Sequence, residues 1–529
     1  MEDVFFGRKE YIDILEKRIH GLKDGYHQNI AIIGDELVGK TSIIFNLLNR
    51  LHDNDVLLLY LEIRPESLDS LVKRFISVLL YNFLNNTEIS IKEDLDFLIR
   101  KSSKYIPKTI EKIKFILTII NKKNKNNIFT EMLSLCEMVN QETGKFSVIV
   151  WDEFHNLENT GIKDIYSEWS KILILQKKTM YIILSSMKFK AKNILSKDLS
   201  LLFGNFEIIE VEPFAIKESE AYLRQKLNEK KLNAGLNNFI VHFTGGYPFY
   251  LKVLANALSK SEEINLVNIL EDVLFDSSGI LNQRFSSYLK RFLDSAHNQD
   301  YTSILYLISS GHNKPKDIAH ILHKPQKELN LRINNLLEFD AISRNGDFLK
   351  INDRVLSFWL KFVYREKTQA FTFDAKNQKA SFRENIAEMI QEFLLNTSKP
   401  IIERIMELLR LFQDEKIQIE RKRLTLSHFR EIKPLEFSKT NLREGLICRS
   451  QDSLWILALK HDLLTEEDVT EFAEECKKYR HKLQKKIIVA FKDIEANAQL
   501  RALEEKIWTW DINNLNQILD LFYKPRVII

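Results

Sequence analysis

Glycine and proline are scarce in this chain of 529 residues, at 15 and 9. Both interrupt regular structure, so their scarcity excludes long flexible linkers and predicts a fold dominated by helix. Cysteine is scarcer still. Cys136, Cys448 and Cys476 are scattered, with no CxxC pair and no histidine cluster beside them. That excludes a disulfide scaffold and structural zinc, and suits a reduced, cytoplasmic setting. Uninterrupted apolar runs never approach the ~20 residues of a membrane span. The longest, "DVLLLYLEI" and "KFSVIVWDEF", are of strand length, so no membrane partner is expected. The opening "MEDVFFGRKEYIDIL" has no basic start followed by an apolar core, so no signal peptide is expected either. Excess charge is also missing: the net is only +4, and any case for nucleic acid has to come from local clusters.

What is present is an ordinary globular balance, 45% apolar and 28% charged. The length exceeds one hydrophobic core and predicts roughly three or four domains. Apolar periodicity predicts an amphipathic helix over 8–23, a strand in "NIAIIG", a helix over 40–51, and strands over 55–63, 146–154, 179–187 and 206–214. Residues 67–142 read as helical, with a polar break "NKKNKNN". Strands alternating with helices imply right-handed crossovers and a parallel sheet covered on both faces.

Residues 34–41 read GDELVGKT, between that first strand and the next helix. Strand, glycine-rich loop and helix is the context in which successive backbone N–H groups converge on phosphate oxygens at a helix N-terminus. The nucleotide-binding candidates are Gly34, Asp35, Glu36, Leu37, Val38, Gly39, Lys40, Thr41 and Ser42. Lys40 would reach the β- and γ-phosphates of ATP, and Thr41 would place its hydroxyl on Mg²⁺. About 110 residues downstream, the apolar strand "VIVWDE" ends in two acids. Asp152 is expected to hold the metal, and Glu153 to orient the attacking water as base, with Lys40 as its catalytic partner. The next strand ends in "LSSMK", where Ser185, or its neighbour Ser186, can sense the γ-phosphate.

Five ordered stretches, "FFGRKEYIDIL", the phosphate loop, "WDEFHNL", "ILSSMK" and "FTGGYPFYLKVLANAL", resemble the archaeal-type ATPases of the STAND branch of the AAA+ superfamily, similar in layout to replication initiators of the Orc type. The resemblance spans roughly residues 3–365. It implies that Phe5, Phe6, Gly7 and Arg8 lie near the adenine, and that Tyr247 and Pro248, in a helical lid over 216–275, close over the base. Such ATPases often carry an arginine just before the fifth strand. Here Asn205 falls at that place, and no arginine occurs from Met187 to Val211. An arginine finger is worth ~10³–10⁵ in rate, so slow hydrolysis and a switch rather than a motor are expected.

Residues 300–362 read as helix, helix, turn, helix and a hairpin at Asn345-Gly346, the order of a winged helix. Lys324, Gln326, Lys327 and Arg332 are the outward candidates for DNA. Residues 284–367 hold 14 Lys/Arg against 9 Asp/Glu, a modest excess that leaves a packing role open. In the last third, "REGLICRSQDSLWILALKHD" resembles the PD-(D/E)xK nuclease scaffold, which needs two metal-binding acids and a lysine. Lys460 is there, but the acid positions hold Gly445 and Ala458, with Glu444 one residue away. A nuclease-like domain without nuclease activity, kept for binding, is expected. Basic candidates for phosphate contact are Lys477, Lys478, Arg480 and Lys482 in "KKYRHKLQKK", with "ERKR" at 420–423.

The expected fold class is therefore α/β: a P-loop NTPase parallel sheet (1–215) with a helical lid (216–275), then a winged-helix domain (276–368) and an α/β restriction-endonuclease-like domain (369–529). The expected activity is ATP binding with slow turnover to ADP, coupled to DNA or a protein partner. The alternatives are a nucleotide-gated protein scaffold and a DNA-stimulated, self-associating motor.

Overall fold

A computed structural model describes residues 5–85, 94–120, 127–199, 206–227, 232–261, 264–293, 298–365, 375–420, 422–437, 442, 444–451, 453–479 and 483–528. The chain divides into two compact units: Met1–Phe214 with Tyr247–Phe249 and Glu338–Asp340, and the remainder.

The first unit is built on five strands, β1 (Asn29–Ile33), β2 (Val56–Glu62), β3 (Phe146–Asp152), β4 (Thr179–Ser185) and β5 (Phe206–Glu210). Their order is β2-β3-β4-β1-β5, and every pairing is parallel. Every residue of β1 and β4 is buried, which is why these strands read as unbroken apolar runs rather than alternating ones. Helix α1 (Lys9–Lys23) buries Ile12, Leu15, Ile19 and Leu22, one stripe at helical spacing. Helix α2 (Lys40–Arg50) follows the phosphate loop. The predicted helical stretch over 67–142 resolves into Leu68–Asn85, Leu95–Ser102, Pro107–Ile120 and Ile128–Thr143, joined to the sheet by one apolar core. Within that core Trp151 packs at a tilt against Trp169 (4.7 Å between centroids) and edge-on against Tyr181 (5.8 Å). Most of the polar break over 121–127 lies outside the described residues.

The order of this sheet places β1 between β4 and β5, with β3 beyond β4. The carboxyl ends of β1, β3 and β4 therefore adjoin, the position where open parallel sheets take ligands.

After β5 come helices Ile216–Leu227, Ala234–Thr244 and Pro248–Lys260, the last two separated at Gly245 and Gly246, both left-handed; all but Pro248 and Phe249 belong to the second unit. Helices Asn298–Ser309, Pro315–Ile321 and Gln326–Glu338 precede the hairpin of β6 (Ile342–Asn345) and β7 (Phe348–Ile351). That order, three helices and a hairpin, is the one the sequence predicts.

A second hairpin, β8 (Glu415–Ile419) with β9 (Lys422–Leu426), adjoins the first. Asp347 N donates to Lys416 O at 2.9 Å, and the Asn345 amide exchanges two hydrogen bonds with the backbone of Gln418. A Cβ on Gly346 would stand 1.8 Å from Lys416 O, so only glycine fits this tip. The tip thus covers the open edge of β8, and backbone groups that would otherwise remain a pairing template are satisfied.

The C-terminal sheet runs β10 (Glu431–Glu436), β11 (Glu444–Arg449), β12 (Leu454–Lys460), β13 (Leu483–Ala490), β14 (Ile507–Trp510). The first three strands are antiparallel; β13 and β14 continue parallel to β12 through helices Glu466–Cys476 and Ala496–Glu504. One apolar cluster fills each face of this sheet. Asp520 ties its last helix to β7 and the helix after it: Lys350 lies at 2.7 Å and Arg526 at 2.8 Å, with Arg354 bonded as well.

Candidate functional site

The phosphate loop has to turn sharply between a buried strand and a helix, and its backbone shows how. Leu37 (φ 68°) and Gly39 (φ 94°) are left-handed, a conformation that rotates successive N–H groups toward one side. A Cβ on Gly34 would meet Val211 O at 2.3 Å, so this glycine is demanded by the close approach of the chain after β5. Val38 is buried and anchors the loop; Ser42 is exposed on the first turn of α2.

Lys40 is 5% exposed, and its ammonium donates to the carbonyls of Gly34 and Asp35, both at 2.9 Å. Burial pulls its pKa down, opposed by Glu153, Asp152, Asp35 and Glu36. The Thr41 hydroxyl donates to Asp152 Oδ2 at 2.7 Å, bridging the loop to the end of β3. Asp152 is itself buried and accepts the Tyr60 hydroxyl on the same oxygen at 2.9 Å. A hydroxyl from the first turn of α2 and a carboxylate at the end of β3 are the oxygen donors a magnesium ion takes when most of its shell is water and phosphate. The residues therefore fit Mg²⁺, which Thr41 and Asp152 would hold.

Glu153 follows in a left-handed conformation (φ 53°), where the chain leaves the strand. Ser186 meets it with both its N–H (2.9 Å) and its hydroxyl (2.8 Å). Burial pushes the Glu153 pKa up, while Ser186 and Lys40 hold it down. A carboxyl poised upward in this way suits a general base.

His155 was not expected. Its Nδ1 lies 2.8 Å from Ser185 Oγ and 3.3 Å from Glu153. Ser185 already donates to Met187 O and accepts from Met187 N, so the proton between them is assigned to His155 Nδ1. Burial lowers the imidazole pKa to about 4, which leaves it neutral at pH 7, so the Glu153 contact is not an ion pair. Ser185 is thus buried against His155, and Ser186 is the serine that reaches Glu153.

The loop's Asp35 gathers two more groups, Lys188 at 3.0 Å and the Tyr247 hydroxyl at 3.1 Å. Pro248 follows at the first position of its helix. Phe6 packs edge-on to Phe214 (5.7 Å), Gly7 is left-handed (φ 62°), and Arg8 is 8% exposed. Arg8 donates to Glu212 O and lies over the Phe214 ring, while its Nε is buried without a partner. A buried guanidinium nitrogen left unbonded beside two rings fits a polar, planar ligand group. Asn205 lies outside the described residues.

The other candidates separate into distinct environments. Lys327 is exposed, as expected. Lys324 is taken up by Asp300 (2.6 Å) and Glu328 (3.3 Å). Arg332 does not face outward: it is 8% exposed, 3.6 Å from Asp300 and over the Tyr301 ring. It shares the inner side of its helix with Leu329, Ile333 and Leu336, where its stem packs and Asp300 meets its charge. Lys477 and Lys478 are exposed and paired to Glu474 and Glu475 one turn back. Arg480 and Lys482 lie outside the described residues.

On the C-terminal sheet Lys460 pairs with Asp468 at 2.9 Å, and Asp468 closes a capping box with Thr465. A Cβ on Gly445 would strike both Leu457 O and the Phe437 ring at 2.4 Å, so no acid fits there. Glu444 is exposed, 3.7 Å from His461.

No protein-family model matches this chain, and no curated protein matches it. Solved structures do. The chain is similar to a Walker-type ATPase of Pyrococcus abyssi, with 18% identity over 68% of this chain and 97% of that one and a TM-score of 0.51. It also matches the Aeropyrum pernix ORC2 protein, solved in ADPNP–ADP complexes, at 10% identity over 70% and 98% (TM-score 0.42). A Pyrococcus horikoshii STAND protein with a tetratricopeptide-repeat sensor matches at 13% over 78% and 51% (TM-score 0.31). The first likeness shows a common fold, that of P-loop NTPases, which agrees with the parallel sheet and its loop.

Proposed function

We propose that this chain is an ATP-binding switch that hydrolyses ATP slowly and couples its nucleotide state to DNA or a protein partner. The observation that carries it is the Thr41–Asp152 contact at 2.7 Å, which joins a complete phosphate loop to the acids ending β3. When bound, Mg²⁺ neutralises charge on the transferring phosphoryl group. Lys40 would hold the triphosphate, Thr41 and Asp152 the ion, and Glu153 the attacking water. Phe6, Gly7, Arg8, Tyr247 and Pro248 would flank the base. The lack of arginine from Met187 to Val211 supports slow turnover.

The division into nucleotide core, lid, winged helix and degenerate nuclease-like domain is part of this reading. The helix-helix-helix-hairpin order supports the third, and the β10–β14 sheet supports the fourth. A single displaced carboxylate, Glu444, and a lysine committed to Asp468 support the absence of nuclease activity.

Calorimetry with MgATP tests the core of this reading. Wild type is expected to bind, Lys40→Ala to lose binding, and Glu153→Gln to bind without turnover. Equal binding by wild type and Lys40→Ala would overturn it. A second reading, a nucleotide-gated protein scaffold, is favoured by one observation: Lys324 and Arg332 are already engaged by Asp300. Retention of protein partners that resists salt, with no retention of DNA, would select it.

A further inference from the structure

We propose that nucleic acid binds through its phosphodiester backbone on the C-terminal sheet, where Lys422 and Lys485 converge on the Trp508 ring. Lys422 opens β9, Lys485 lies near the start of β13, and Trp508 lies in β14. The ammonium of Lys485 stands 4.7 Å from the ring centroid and that of Lys422 stands 5.4 Å from it. Two basic runs far apart in sequence thus meet on one indole.

The other described lysines of those runs have carboxylate partners. Lys477 and Lys478 pair with glutamates on their own helix, and Lys486 lies 3.9 Å from Glu505. Among the described residues, Lys422 and Lys485 form no ion pair. Burial lowers the Lys485 pKa, and no carboxylate opposes it. The ring quadrupole attracts both cations but carries no net charge, so their mutual repulsion is relieved only by an anion.

In the register of β8 with β9, Lys422 stands opposite Ile419 on the inner side of the hairpin, so it faces away from Lys416 and Arg423, which lie diagonally on the outer face. Both are exposed, and neither forms an ion pair among the described residues. Two neighbouring cations match successive phosphates of a nucleic-acid strand better than a single small anion, and the indole beside them offers an aromatic edge to a base. The patch also supplies what the helix over 326–338 lacks, since Arg332 is buried there.

The choice of nucleic acid as ligand follows the proposed coupling, but the patch is expected to bind with or without ATP. The test is fluorescence anisotropy with a labelled oligonucleotide of about 30 nucleotides and its duplex, across salt concentration. Lys422→Gln/Lys485→Gln keeps a polar group at both places and removes two charges. The slope of log K against log salt is expected to fall by about 1.4 for a single strand or about 1.8 for a duplex, and the larger loss of affinity identifies which form is taken. Lys477→Gln/Lys478→Gln should leave the slope unchanged. A double variant at 422 and 485 that matches wild type overturns the patch, as does a wild type that retains neither form at low salt. Should the variant fold poorly, acetylation footprinting of wild type decides: Lys422 and Lys485 are protected by the oligonucleotide if the patch is real, and react as in free protein if it is not. Loss of binding in the variant with no ATP effect in wild type sustains the patch and removes the coupling. An ATP effect with a fully binding variant does the reverse.

Discussion

Ser186 grips Glu153 twice, through its N–H at 2.9 Å and its hydroxyl at 2.8 Å. Both bonds favour the ionised carboxylate against the burial that pushes its pKa up. Ser186→Ala removes the hydroxyl and keeps the amide. The Glu153 pKa is then expected to rise further, because one of the bonds that favours the ionised form is lost. A base must be ionised to act, so the acid limb of the rate profile should move to higher pH. Turnover measured from pH 5 to 9 checks this; an unmoved limb in an active variant separates Ser186 from Glu153.

Gly34 carries a steric demand that is independent of chemistry. Alanine there would drive a methyl into Val211 O, at 2.3 Å from the ideal Cβ position. Gly34→Ala is expected to cost about 2–3 kcal/mol, an overpacking penalty, and to abolish ATP binding because the loop has to shift. At Gly39 no atom lies within 4 Å of such a methyl, and the cost there is conformational, from φ 94°. Urea melts of the two variants separate these causes: Gly34→Ala should be the less stable. The reverse order would mean that the loop yields to Val211 easily.

How far the site was legible follows from how local its parts are. Gly34 to Thr41 sit at fixed offsets in one strand-loop-helix unit, and Asp152 and Glu153 end a strand whose apolar run announces them. Tyr60 and His155 were not legible, because each is defined by a partner across the sheet, Asp152 and Ser185. Arg332 was misjudged for the same reason: its outward reading came from charge, and only the fold brings Asp300 and Tyr301 to it. The hairpin over 415–426 hid behind its charges, although Ile417, Ile419, Leu424 and Leu426 alternate as a half-buried pair of strands should. Its edge partner, the tip at Gly346, could not be read from either segment alone.

Asp353 caps the helix Arg354–Trp359 through Leu356 N at 3.0 Å and also accepts the Tyr250 hydroxyl. Burial raises its pKa to about 6 despite those bonds. An unfolded aspartate titrates near 3.9, so the native state holds the extra proton between about pH 4 and 6. Its contribution is then fully present below about pH 4 and is lost as pH rises through about 6, by roughly 3 kcal/mol at most. Asp353→Asn keeps a cap and cannot ionise. The stability of the variant relative to wild type should climb between pH 4 and 6 and level off above; a flat difference from urea midpoints across that range would refute the assignment.

Asp520 behaves oppositely. It is buried among Lys350, Arg354 and Arg526, and those cations hold its carboxyl well below the usual range against the desolvation that opposes them. A depressed carboxylate stabilises the fold at pH above its unfolded value, about 3.9, and the contribution is lost as pH falls through the lower native one. Asp520→Asn leaves three cations without their common anion, and uncompensated buried charge typically costs about 3–5 kcal/mol. The variant should therefore melt far below wild type at pH 7, and the gap should begin to narrow only as pH falls below about 4. Raising salt narrows the gap only slightly, because a buried cluster is screened far less than a surface pair. If Asp520→Asn instead melts within about 1 kcal/mol of wild type at pH 7, the cluster is held by packing alone, and the cations around Asp520 are solvated better than their burial indicates.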